Sequence, residues 1–265
     1  MNKKNRIIAL LTDFGAGDAY AASLKGVIHS INPNAKIIDI SHSVRPQDVK
    51  QAAFILQEIY PYFPKQTIYV AVVDPGVGSS RRAICVKTAK GYLIGPDNGL
   101  FDLVLAGESK YEVRCLVNHQ YFLNRISATF HGRDIFAPVA AYLSRSEIFS
   151  KLGPILKTTQ KLNFPVAKIR DRKISGEIIY IDHFGNTVSN ISKKLFNKLN
   201  SKHRYTIQIR SIRIKQIKSF FSEGQKNKPM ALWNSSNLLE IALRNGSAAK
   251  TFGIKIGHPI SIQIS

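Results

Sequence analysis

The sequence predicts two domains. The first, over residues 1–150, is an α/β domain with a mostly parallel sheet covered by helices on both faces; the second, over 171–265, is all-β, and residues 151–170 connect them. Three observations lead to this. Ile68-Tyr69-Val70-Ala71-Val72-Val73 is apolar without alternation, which suits a strand buried on both faces. Short apolar strands alternate with helix-period segments up to about Ser150. From Ser175 onward the texture turns to alternating, β-rich segments with no long helical period, as in a small barrel or sandwich.

In chain order, Ile7–Leu11 is a strand that empties into Thr12-Asp13-Phe14-Gly15-Ala16-Gly17-Asp18. A helix follows over about Ala19–Ile31, stopped by Asn32-Pro33-Asn34, and Lys36–Ile40 is a second strand. Pro46-Gln47-Asp48 opens a helix through Glu58, which Pro61 to Pro64 closes. After the strand ending at Val73, Ile84–Thr88 and Tyr92–Ile94 are two more, joined at Lys90-Gly91. Gly95-Pro96-Asp97-Asn98-Gly99 then either points polar groups into a cleft or, through Asp97, caps a helix over Leu100–Ala106. Phe130-His131-Gly132-Arg133-Asp134 precedes an apolar helix over Ile135–Leu143. At a helix start the positive dipole end favours a neutral His131 or an anionic partner. In the second domain Gly176–Ile181, Tyr205–Ile214, Met230–Trp233 and Pro259–Ile264 are strands. Two polar loops interrupt them, Ile181 to Asn186 and Trp233 to Ala242.

The 265 residues carry a formal charge of +21, of which residues 151–228 hold +14 through 18 Lys/Arg against 4 Asp/Glu. That concentration is either a nucleic-acid surface or a solvated basic face. The cations are scattered at strand-like spacing without a binding motif, which favours the solvated face. No apolar stretch reaches the ~18 residues that span a bilayer, and the basic start, Met1 to Arg6, is followed by an apolar run broken at Thr12-Asp13, so a cytoplasmic protein without membrane contact is expected. Cys85 and Cys115 lack metal-ligand spacing, and Gly15-x-Gly17 lacks the third glycine of a dinucleotide fingerprint. No metal and no cofactor is expected.

Asp74-Pro75-Gly76-Val77-Gly78-Ser79-Ser80-Arg81 follows the buried strand, where ligands of such sheets bind. Alone it is either a site holding a small polar group or a turn with a solvated arginine. Together with the other motifs in their order, Thr12-Asp13-Phe14-Gly15…Asp18, Gly95 to Gly99, Phe130 to Asp134, Ile181-Asp182-His183-Phe184-Gly185-Asn186 and Asn234-Ser235…Leu239-Glu240-Ile241-Ala242, it resembles the S-adenosylmethionine (SAM) hydroxide adenosyltransferases, relatives of the SAM-dependent fluorinase and chlorinase. The match runs from about residue 7 to 260.

The resemblance implies a C-terminal β-barrel, a homotrimer with SAM between neighbouring subunits, and hydrolysis of SAM to adenosine and L-methionine. It places the catalytic set on Asp74, Arg81 and His131. Asp13 takes the ribose hydroxyls, Asp182 and Asn186 line the nucleoside side, Asp18 and Ser235 hold the methionine end, and Glu240 and Asn245 lie near the substrate. One departure is Asn237, where the family usually has glycine; asparagine tolerates the left-handed backbone. The halogenases have a tyrosine where this chain has Asp74, and the fluorinase has an insertion where only Lys90-Gly91 separates two strands here. A carboxylate at that place repels halide and accepts a hydrogen bond from water. The alternatives are a SAM-dependent halogenase forming a 5′-halo nucleoside and a non-enzymatic basic nucleic-acid-binding module on the same fold.

Overall fold

The computed structural model describes residues 6–199 and 204–264; residues 1–5 of the basic start lie outside them. The chain divides into two compact units, Met1–Leu162 and Asn163–Ser265.

In the first unit β1 (Ile7–Thr12), α1 (Ala19–Ile31), β2 (Lys36–Ser41), α2 (Val49–Ile59) and β3 (Thr67–Val72) follow one another. A hairpin of β4 (Ala83–Thr88) and β5 (Gly91–Pro96) comes next. Then come a single helical turn α3 (Asp102–Leu105), β6 (Tyr111–Cys115), α4 (Ala137–Arg145) and a two-residue edge strand β7 (Ile155–Leu156). The sheet order is β2-β1-β3-β5-β4-β6-β7. Pairings from β2 to β5 are parallel and those from β5 to β7 antiparallel, so the sheet is mixed where a mostly parallel one was expected. The reason is the hairpin, which reverses the chain within two residues. Gly91 lets β5 lie against β3, because a Cβ there would sit 2.1 Å from the Thr67 carbonyl oxygen of that strand.

Both faces of this sheet are covered. Ile8, Leu10 and Val70 pack under α1 and α4, while Ala9, Leu11, Tyr69 and Ala71 pack under α2 and α3. That double burial is why β3 lacks alternation. Asp48 caps α2 by accepting from the Gln51 N–H at 2.8 Å. Asp97 is no cap. It is buried, pairs with Arg82 and accepts from the Gln160 N–H at 2.8 Å, fastening the 158–162 segment to the adjoining ends of β4 and β5.

The stretch read as a connection is therefore divided. Residues up to Leu162 belong to the first unit, with the Leu162 N–H and Lys161 both bonded to Asp102. In the second unit the Pro165 carbonyl accepts from Asn190.

The second unit holds β8 (Lys168–Arg170), β9 (Lys173–Ile181), β10 (Thr187–Ser192), α5 (Lys193–Leu199), β11 (Tyr205–Ile209), β12 (Ile212–Ile214) and β13 (Ile217–Lys218). After these come β14 (Pro229–Trp233), β15 (Leu238–Leu243), α6 (Ala248–Phe252) and β16 (Pro259–Ile264). The sheet runs β12-β11-β16-β9-β10-β15-β14-β13, with β8 on β9. It coils nearly into a barrel: β12 meets β14, and the Ile217 N–H at the start of β13 donates to Tyr205 Oη of β11 at 3.1 Å. Its core is mostly isoleucine, from Ile174, Ile178, Ile191, Ile207, Ile241 and Ile262. Two short helices make the unit less than all-β. β15 also corrects the expectation of a long polar loop to Ala242: both faces of this central strand are buried, so its sequence does not alternate. Among the described residues no helix is long and apolar enough to cross a membrane.

Candidate active site

The loop after β3 turns back on itself. The Val77 N–H donates to the Asp74 carbonyl, the Ser79 N–H and hydroxyl to the Gly76 carbonyl, and the Arg81 N–H to Ser79 Oγ. Gly78, at φ +78°, lies so close to Ala128 that a Cβ would come within 2.4 Å of its carbonyl oxygen. The outcome is a fork in which Arg81 Nε donates to Asp74 Oδ1 at 3.0 Å and Arg81 Nη2 to Asp74 Oδ2 at 2.6 Å. The two side chains are only 10% and 6% exposed, so the solvated arginine of the turn reading is excluded. Charge-assisted, bidentate pairs of this kind fix geometry as well as charge.

Arg81 Nη2 also lies 2.7 Å from His131 Nδ1. A guanidinium only donates, so Nδ1 is the acceptor and the neutral ring carries its proton on Nε2. Burial and the Arg81 charge push the His131 pKa below its usual value, against a smaller upward pull from Asp74 and Asp134. His131 is aimed by the wide helical turn Gly132–Phe136, whose closing bond runs from the Ala137 N–H to the Gly132 carbonyl, five residues back. That turn is pinned by Asp134, which is fully buried, accepts a fork from Arg133 and takes the Ser127 N–H at 2.7 Å.

Asp13 lines a cavity of about 500 Å³ with Phe14, Tyr20, Ser127, Phe130 and Arg133, the last two flanking His131 in sequence. Its Oδ2 accepts from the Gln47 N–H at 2.8 Å. Asp18 is exposed at the N-cap of α1, where its side chain makes no capping bond.

The other candidates belong to the second unit. Asp182 receives both the backbone and the side-chain N–H of Asn186, at 2.8 and 2.9 Å, which closes the 182–186 loop. Gly185 must be glycine there: φ is +84°, and a Cβ would stand 2.0 Å from Ser247 Oγ. Asn186 and Asn245 line a cavity of about 700 Å³ with Phe184, Phe221, Arg244 and Ser247. Phe184 and Phe221 are 74% and 48% exposed, and an aromatic rim with amide groups suits a flat heteroaromatic ring. Ser235 is exposed in the Asn234 loop, which Asn237 closes at φ +58° as an asparagine can. Glu240, on β15, is buried, and its Oε1 has no hydrogen-bond partner among the described residues. Burial first and the Asp182 carboxylate second raise its pKa to about 7, a hydrogen bond with Asn234 pulling the other way.

Sequence reasoning overlooked the buried Asp134 and the rim residue Phe221. A doubled aromatic, Phe220-Phe221, inside a polar segment was the available signal for the rim.

The chain matches the SAM hydroxide adenosyltransferase N-terminal domain over residues 8–153 and the C-terminal domain over 176–261. It is similar to the (R)-S-adenosyl-L-methionine hydrolases of Methanocaldococcus jannaschii, at 37% identity with 97% of this chain and 95% of the relative covered, and of Salinispora tropica, at 34% with 96% and 97% covered. A crystal structure of an uncharacterized conserved protein from Thermotoga maritima superposes with a TM-score of 0.89 at 36% identity, covering 97% of this chain and all of that one. With both domain models matched in order along nearly its whole length, the chain belongs to the SAM hydroxide adenosyltransferase family.

Proposed function

We propose that this protein hydrolyses S-adenosyl-L-methionine, in the (R) form that its relatives' names carry, to adenosine and L-methionine. Water attacks the ribose C5′ in line with the C5′–S bond. The bonding pair leaves with sulfur as a neutral thioether, and one proton is released per turnover. The leaving group needs no proton, so the site needs no general acid; it has to hold the oxygen in line and strip its solvent, which supplies ~7–11 kcal/mol.

The single observation that carries this reading is the Asp74–Arg81–His131 fork. Asp74 accepts a hydrogen bond from the attacking water and orients it. Arg81 holds both carboxylate oxygens and supplies positive charge as hydroxide character develops. His131 holds Arg81 through Nδ1 and keeps an Nε2–H to donate. With Nδ1 already engaged, the ring is an orienting group rather than a base. Asp13 takes the ribose hydroxyls. Asp182, Asn186 and the aromatic-rimmed cavity take the nucleoside, with Asn245 at its wall. Asp18 and Ser235 take the methionine end, with Glu240 behind Asp182. A homotrimer with SAM between neighbouring subunits, and a cytoplasmic place of action, belong to this reading as proposals.

Incubation of the protein with SAM, followed by chromatography, tests it. Adenosine and methionine in equal amounts without added halide, abolished by Asp74→Ala, support hydrolysis. A halide-dependent 5′-halo nucleoside supports the halogenase instead. Binding of nucleic acid that weakens steeply with salt and survives Asp74→Ala, with no product from SAM, supports the non-enzymatic module.

The pH dependence follows from His131. Its lowered pKa means that protonation, which takes Nδ1 away from Arg81, begins only below the usual 6.5. A group depressed this way binds fewer protons folded than unfolded, so its stabilising effect is complete above about 6.5 and is lost as pH falls. The expected kcat/KM profile is flat near neutrality with an acid limb whose midpoint lies below 6.5. His131→Gln, measured over the same range, should lack that limb.

A further inference from the structure

Asp13 sits in a frame of hydrogen bonds contributed by the segment from β2 to α2. His42 places Nδ1 2.8 Å from Thr12 Oγ1. Its Nε2 lies 3.1 Å from Asp39 Oδ1, off the line of an aligned hydrogen bond, and Lys25 holds the other oxygen of Asp39 at 2.5 Å. Burial pushes the Asp39 carboxyl up, but the Lys25 bond and the close approach of His42 outweigh it and keep the group below its usual range.

A carboxylate only accepts, so the nitrogen facing it carries the proton. In the neutral ring Nδ1 then accepts the Thr12 hydroxyl. That leaves Thr12 Oγ1 turned to receive the Phe14 N–H, at 3.3 Å. The His42 carbonyl accepts the Gly15 N–H at 2.7 Å, where Gly15 has φ +75°. Residues 12, 14 and 15 are thus all fixed by His42, directly or through one hydroxyl, and the residue they enclose is Asp13.

The carboxylate of Asp13 is held separately, by the N–H of Gln47. Gln47 has φ +64°, a left-handed backbone that is unfavourable for a residue with a Cβ and tends to be kept where it serves a site. With Oδ2 so anchored, the direction of Oδ1 depends on the main chain of residues 12–15. A vicinal diol needs both carboxylate oxygens aimed, and thus both anchors.

We propose that His42, set by Asp39, is a positioning residue that aims the Asp13 carboxylate at the ribose hydroxyls of the substrate. It rests on the reading of this protein as a SAM hydrolase with Asp13 at the ribose. A purely structural Thr–His contact would affect folding without regard to Asp13; an aiming device acts through Asp13 alone.

The test is a mutant cycle in the full chain: His42→Ala, His42→Asn and Thr12→Val, each with Asp13 intact and with Asp13→Ala, read by steady-state kinetics on SAM and by thermal unfolding. With Asp13 intact, His42→Ala and Thr12→Val should raise KM about 5- to 10-fold with a smaller change in kcat. His42→Asn, whose amide reaches the Nδ1 position, should recover most of that loss. With Asp13→Ala, the same changes should add less than about 2-fold. Equal effects in both backgrounds, or a wild-type KM in His42→Ala, overturn the inference. If His42→Ala does not fold, the near-isosteric Thr12→Val reads the same cycle. Wild type without SAM turnover overturns this inference together with the hydrolase reading, whereas active wild type with an additive cycle overturns this inference alone.

Discussion

Asp74→Asn is expected to lower kcat on SAM by about 10²–10⁴-fold while changing KM little. The carboxylate has two tasks, and asparagine fails at both. It receives two N–H groups of Arg81, at 3.0 and 2.6 Å, and whichever way the amide is turned, its NH2 meets one of these donors head-on. The displaced guanidinium then loses its line to His131 Nδ1, so the fork opens at two joints. In the proposed reaction Asp74 also accepts the hydrogen bond that orients water, and an amide is a weaker acceptor with one oxygen instead of two. Because the proposed role of Asp74 is toward the nucleophile and not SAM, substrate affinity should be largely spared. Steady-state rates with a matched KM determination check this; a variant within about 10-fold of wild-type kcat would remove Asp74 from the chemistry.

The second large effect is on stability. Arg133→Ala is expected to destabilise the first unit by about 3 kcal/mol. Asp134 is fully buried, and its carboxylate is satisfied by the Arg133 fork and by the Ser127 N–H. Removing the arginine leaves a buried charge with one neutral donor. The alanine also loses the guanidinium packed over the Phe130 ring at 5.0 Å. Asp134→Asn should cost less, since the charge it leaves unpaired, on Arg133, is partly exposed and solvated rather than buried. Calorimetry should find the unfolding of this unit moved down by about 6–12 °C for Arg133→Ala. An unmoved transition would mean that the Asp134 carboxylate does not depend on the Arg133 fork.

Much of the first unit was legible because β3, α1 and α2 each carry a full-length signal: a continuous apolar run rich in β-branched residues, a helix ended by Asn32-Pro33, and a capped start at Asp48. The antiparallel half of its sheet was less so. A hairpin at Lys90-Gly91 was readable, but which edge of the sheet it joins is set by packing far along the chain. In the second unit β15 was misread for a physical reason: a strand covered on both faces does not alternate, and the Asn234 turn ahead of it resembles the opening of a longer loop. The short helices α5 and α6 fall below the length at which helical periodicity can be recognised. For the site, the Asp74 to Arg81 spacing was visible, and a neutral His131 was one of two readings beside an anionic partner. The resemblance grouped the three residues, but the contact between Arg81 and His131 was not legible in the residues themselves, because positions fifty apart meet only through the fold. Asp97 reads as a cap locally and is a buried ion-pair partner globally, since Arg82 and residue 160 lie on other segments.

The wide turn over Gly132–Phe136 makes His131 sensitive to residue count as well as to residue type. Such a turn is an α-helix holding one residue more than its pitch allows. Deleting a single residue between 132 and 136 would let the segment relax to regular pitch and swing everything ahead of it by about 100° around the helix axis, carrying the imidazole off Arg81. Every side chain named in the fork would still be present in such a shortened protein, and the helix itself would be more regular. In the proposed mechanism the rotational phase of one helix end thus sets the fork, a parameter that an inventory of residues does not contain.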